Sequence, residues 1–116
     1  MAADRTNSEV SYLTSEFQPA VLRLIASVIS TAHKKETKVG VCGEMASNPL
    51  AVPLLVGWGI DELSMNPTAI PLIKKLIRSL DVSQLTVLGE QVLNLREPEA
   101  IIHSIQQKVP IVESYL

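Results

Sequence analysis

Cys42 is the only cysteine among 116 residues, and it lies in the run Lys38-Val39-Gly40-Val41-Cys42-Gly43-Glu44-Met45, where an apolar stretch of strand type breaks onto glycine and a carboxylate. A single thiol cannot close a disulfide within its chain, and without a second one it forms neither a redox pair nor a cysteine zinc site. Three roles stay open to it: an inert core residue, a nucleophile or a proton donor. A cysteine that attacks a carbonyl ordinarily works with a histidine base. The chain has two histidines, His33 and His103. His33 falls at the end of a predicted helix, on the amino-end side of the following strand, where a cation complements the helix dipole. His103 falls on the outward stripe of the last predicted helix. Both read as structural or solvent-facing, so proton donation gains on nucleophilic attack. Glu44 suits a helix start or a group that orients the thiol. Asp61 and Glu62 suit a turn leading into a strand, Met45 and Met65 suit the core, and Arg5, isolated in a polar segment, reads by itself as solvated.

The elements that must hold Cys42 follow from periodicity and caps. Residues 1–14 are polar and unperiodic. Ser15 or Gln18 with Pro19 opens a helix, because proline at the first helical position has no amide to leave unpaired and its φ is already near helical. Val21, Leu22, Leu24, Ile25, Val28, Ile29 and Ala32 give that helix a broad apolar face as far as His33. Thr37 to Cys42 reads as a first strand, with Val39 and Val41 on one face and Gly40 and Cys42 on the other. Asn48-Pro49 repeats the cap-then-proline start of a short helix with Leu50, Ala51, Leu54 and Leu55, ending at Gly57 or Gly59. Pro53 then sits in or near the first turn, where a missing amide matters least.

Ile60 to Met65 reads as a second strand. Asn66-Pro67 caps another helix, Asp81 caps the next, and Glu97-Pro98 opens a last one that Pro110 stops. Gly89 lies inside the Asp81 helix and costs it about 1 kcal/mol against alanine, which points to close packing at that position.

Strand, crossover helix and strand in this order make a right-handed parallel βαβ unit. Two parallel strands need cover on both faces and neighbours at both edges. The pattern therefore predicts an α/β fold that is one end of a larger structure, most simply a barrel. Functional groups in such sheets collect at the carboxyl ends of the strands, here Cys42 and the segment Ser64 to Asn66. Gly40 and Gly43 beside the thiol would let a ligand approach the backbone closely.

Composition narrows the partners. A net charge of −2 with scattered lysines and arginines gives no footprint for nucleic acid, and 3% aromatic residues offer no platform for stacking bases. The N-terminus has no apolar signal core, and Leu50 to Ile60 is too short and too interrupted to span a bilayer. With a single free thiol, these features predict a cytoplasmic protein with no membrane contact.

Three blocks in order, Val39-Gly40-Val41-Cys42-Gly43-Glu44-Met45-Ala46, Gly59-Ile60-Asp61-Glu62-Leu63-Ser64-Met65-Asn66 and Ile70-Pro71-Leu72-Ile73-Lys74-Lys75-Leu76-Ile77-Arg78, closely resemble enzyme I of the phosphoenolpyruvate-dependent sugar phosphotransferase system. Ala2-Ala3-Asp4-Arg5 resembles the tail of that family's second signature. Pyruvate phosphate dikinase and phosphoenolpyruvate synthase share the glycine-cysteine-glycine block, but the second and third blocks favour enzyme I. The resemblance implies that residues 1–116 form the C-terminal portion of a phosphoenolpyruvate-binding (β/α)8 TIM barrel, its last two parallel β/α units plus the terminal helices. It implies a transferase, a kinase-like phosphotransferase acting in sugar transport. Arg5 would bind the phosphate of phosphoenolpyruvate, and Cys42 would protonate the enolate carbon to give pyruvate as the phosphoryl group passes to a histidine on another domain. An ordinary thiol, with a pKa of about 8.5, carries such a proton at neutral pH.

The resemblance also implies Mg2+ and a phosphocarrier protein as partner. The family's magnesium ligands, its other phosphate-binding arginines and its histidine domain match nothing in this sequence, so the chain alone is expected not to turn over. Val41 and Met45 also differ from the residues expected beside the cysteine, and neither difference touches the chemistry. The competing reading is a non-catalytic module, a homo-oligomer or a partner of the full-length enzyme, that associates through exposed strand edges.

Overall fold

A computed structural model describes residues 16–116, and the Arg5 assignment lies outside the described residues. Helix α1 runs over Pro19–Lys34, with Gln18 extended ahead of it and proline in its first turn. It closes in a Schellman motif: the Thr37 amide donates to the Ala32 carbonyl at 2.8 Å and the Glu36 amide to the His33 carbonyl at 3.0 Å. Glu36 holds the left-handed position, φ 57°, that glycine usually takes.

Strand β1 covers Gly40–Cys42, and a 3-10 turn over Glu44–Ser47 follows it. Helix α2 covers Val52–Gly57, with proline in its first turn. It ends in the same motif as α1, now with Gly59 at φ 87° and the Ile60 amide donating to the Leu55 carbonyl at 3.0 Å. Strand β2, Glu62–Ser64, then pairs parallel with β1, in the register Gly40 with Glu62, Val41 with Leu63 and Cys42 with Ser64. The sheet has two strands among the described residues.

Both strands start later than the sequence predicts, for one reason. Thr37 and Ile60 spend their amides on closing the preceding helices, so pairing starts only beyond them. The short helix also starts later than predicted. Asn48 accepts the Leu50 amide through its side chain at 2.9 Å and the Ala51 and Val52 amides through its carbonyl, forming a turn that delays regular helix to Val52.

After β2, Asn66 accepts the Thr68 amide at 3.1 Å above a 3-10 turn, Pro67–Ala69, that runs into helix α3, Ile70–Arg78. Helix α4 is Val82–Val92, capped by Asp81, whose carboxylate accepts the Ser83 hydroxyl at 2.7 Å and the Ser83 amide at 3.0 Å. Those bonds hold the Asp81 carboxyl below the usual carboxylate range. Helix α5, Pro98–Lys108, and a final 3-10 segment, Pro110–Tyr115, complete the chain.

The core is mainly helical. Phe17 and Leu22 from the first segment meet Leu54 of α2, Leu76 of α3, Leu85 and Leu88 of α4 and Ile101 and Ile105 of α5 in one buried cluster. Helices α2 and α4 approach closely at Gly57, where an added Cβ would lie 2.3 Å from the Leu85 carbonyl oxygen. At Gly89 the notch predicted from sequence receives Trp58, whose indole N–H donates to the Gly89 carbonyl at 3.0 Å. The fold is thus mixed α/β, mostly helical, with a small parallel sheet set against the helices.

Candidate active site

The sheet has two unlike faces. Val41 and Leu63 are half-buried, and Leu63 packs against the core cluster. Gly40, Cys42, Glu62 and Ser64 lie on the other face, and all four are exposed. This alternation follows from the pleat, which sends successive side chains to opposite faces. Among the described residues nothing buries the Cys42 thiol, which is exposed.

Register places Ser64 beside Cys42, at the carboxyl end of both strands. Neighbouring strands lie about 4.8 Å apart, so paired residues on one face are side-chain neighbours. Immediately beyond, Gly43, Glu44, Ser47, Ser64, Met65 and Asn66 line a shallow depression. Gly43 shapes it through its backbone, φ 87° and ψ −158°, a conformation essentially confined to glycine. Gly40 differs. A Cβ there would meet the Glu62 Cβ at 3.4 Å and its Oε2 at 3.5 Å, so the Glu62 side chain occupies the slot that Gly40 leaves. Both strands lead into 3-10 turns rather than directly into α-helices.

The opposite end of the sheet is a structural clamp. His33 Nε2–H donates to Asp61 Oδ2 at 2.9 Å, and the same oxygen accepts the Val39 amide at 2.9 Å. The Asp61 amide in turn donates to the Val39 carbonyl at 3.1 Å. The Val39 amide, then the His33 ring, hold the Asp61 carboxyl below its ordinary range. His33 thus belongs to the amino ends of the strands, as predicted, and is not a base for Cys42. Its pairing with Asp61 was not legible locally, since 28 residues separate the two. His103 is exposed on α5.

Among the described residues, no group of three or more His, Cys, Asp or Glu side chains could hold a metal ion. The donor set among the described residues therefore does not fit the expected magnesium. No helix of the described residues is long and apolar enough to cross a membrane.

Small and polar groups gathered where parallel strands end are the arrangement by which α/β proteins present ligands, and fold and site together define a unit of that class. Residues 1–82 match the family described as PEP-utilising enzyme, PEP-binding domain, and the chain belongs to that family. It is 43% identical over 107 residues to the phosphoenolpyruvate-protein phosphotransferase of Listeria monocytogenes, a match covering 92% of this chain and 19% of the relative. The phosphotransferase of Latilactobacillus sakei is 46% identical over 95 residues, covering 82% of this chain and 17% of that protein. That of Bacillus subtilis is 41% identical over 107 residues, with 92% and 19% covered. The chain spans about a fifth of the length of the curated relatives it matches.

Proposed function

We propose that residues 1–116 are the C-terminal portion of a phosphoenolpyruvate-binding (β/α)8 barrel in a cytoplasmic phosphoenolpyruvate-protein phosphotransferase of the sugar-transport system. In this reading β1 and β2 are two of the barrel's strands, and their exposed polar face is turned to its interior. Cys42 protonates the methylene carbon of enolpyruvate, Arg5 binds the substrate phosphate, and the phosphoryl group passes to a histidine on another domain and then to a phosphocarrier protein. The observation that carries the reading is the exposed Cys42 at the carboxyl end of a parallel strand, with no histidine beside it among the described residues. Such a thiol suits proton donation, which needs a group that holds a proton at neutral pH and a path for substrate. The family's magnesium has no ligand set among the described residues.

The test is reconstitution with the remaining barrel and the histidine domain of a relative. Cys42→Ala is expected to lower pyruvate formation by about 10²–10⁴-fold, the usual contribution of a positioned acid. Full activity in that variant would sink the assignment.

A second reading is favoured by one observation. Val56, Ile60, Leu63, Met65, Ile70 and Ile73, together with the charged Asp61, Glu62 and Lys74, line a groove along β2, whose outer edge has no ladder partner among the described residues. Such an edge pairs readily with another chain. A module that associates with itself or with the full-length enzyme would use it, and light scattering that shows only monomers would count against this reading.

A further inference from the structure

We propose that Ser64 is a positioning residue for the Cys42 thiol, its hydroxyl donating a hydrogen bond to the sulfur as negative charge develops there. The inference rests on the reading of Cys42 as proton donor. Ser64 is the ladder partner of Cys42, on the same exposed face of the sheet. At a strand separation of about 4.8 Å, rotation about χ1 brings Oγ and Sγ into hydrogen-bonding range.

The other side chains of the depression are committed elsewhere. Asn66 is held in its capping pose by the Thr68 amide and hydroxyl, each 3.1 Å from its Oδ1. The Ser47 hydroxyl donates to the Glu44 carbonyl at 3.3 Å. The carboxylate of Glu44 is an acceptor type of group. The Ser64 hydroxyl makes no hydrogen bond with the described residues, which leaves a free donor beside the only thiol.

The chemistry calls for such a donor. In the transfer the S–H bond breaks with its electron pair left on sulfur, and the proton forms the new C–H bond at the methylene carbon. The enolate oxygen's pair restores the carbonyl of pyruvate, and the thiolate later regains a proton from water. Charge therefore appears on Sγ in the transition state, and a donor aimed there lowers the barrier, as donors do around a developing oxyanion.

Two measurements test this. In the chain itself, the rate of Cys42 alkylation by iodoacetamide is followed against pH, with no second thiol to confuse it. Ser64→Ala is expected to move the curve up by about half a pH unit, roughly threefold slower at neutral pH, while Ser64→Thr keeps it in place. Glu62 on β2 and Glu44 in the turn after β1 face this region and are the same in every variant, so they do not produce a difference between the curves. Circular dichroism and urea midpoints follow folding in each variant. An unmoved curve in Ser64→Ala, or an equal shift in Ser64→Thr, overturns the proposal.

In the reconstituted enzyme, Ser64→Ala is expected to lower kcat about tenfold with KM unchanged, less than the 10²–10³ for a buried oxyanion donor. If Cys42→Ala retains full activity, the proton-donor reading has failed. If Cys42→Ala is inactive and Ser64→Ala is not impaired, only the role of Ser64 has failed.

Discussion

Gly43→Ala isolates the backbone requirement beside the thiol. Among the described residues no heavy atom lies within 4 Å of the Cβ that alanine would add, so they contribute no steric crowding. The whole cost is conformational, because φ 87° with ψ −158° is closed to L-residues other than glycine, at about 1–3 kcal/mol. At 2 kcal/mol and a urea m-value of about 2 kcal/mol per molar, the unfolding midpoint falls by about 1 M. Gly40→Ala is the control. Its added Cβ would make ordinary contact with Glu62 at 3.4 Å in an extended strand, and its stability should stay within about 0.5 kcal/mol of the parent. A D-alanine at position 43 separates the two causes further. The mirror of the Gly43 conformation, φ −87° and ψ 158°, is ordinary extended backbone. Cys42 supplies a native ligation junction for introducing it by semisynthesis. D-alanine should restore most of the stability that L-alanine loses. An L-alanine variant as stable as the parent would refute the reasoning.

Gly57→Ala drives a methyl into the Leu85 carbonyl, rigid backbone that cannot swing aside, and should cost about 1–3 kcal/mol by thermal or urea unfolding despite the better helix propensity of alanine. Unchanged stability there would show that α2 and α4 do not approach as described. Acid should weaken the fold through Asp61 and Asp81. Both folded-state carboxyl pKa values lie below the ordinary range, so their stabilisation is present above about pH 4 and is lost as pH falls through the folded values. Asp61→Asn and Asp81→Asn should each flatten the fall of the urea midpoint below pH 4, and an unaltered slope in both would remove these groups from the acid response.

Helix starts were legible because proline and its neighbours act locally: Pro19, Asn66, Asp81 and Pro98 each open a turn where the sequence places one. Strand ends were not. Whether Thr37 or Ile60 joins the ladder depends on which carbonyl its amide reaches, and both are taken by the preceding helix. Cys42 could be placed at a strand end from its flanks alone, but its exposure and its partner Ser64 depend on register between segments 22 residues apart. The same limit hid the clamp of His33 on Asp61 and the contact of Gly57 with Leu85. Gly89 was half-legible. Its glycine implied a close neighbour, while the identity of Trp58 came only with the fold.

The division of the sheet into a packed face and an open one separates two kinds of selection. Val41 and Leu63 answer to the interior, whereas Gly40, Cys42, Glu62 and Ser64 contribute no buried side chain. Among the described residues, substitutions on the open face therefore disturb no buried packing, and repacking of the helices leaves that face as it is. Gly43 is the exception. It answers to both, since the bend that it alone adopts also sets where the chain leaves Cys42.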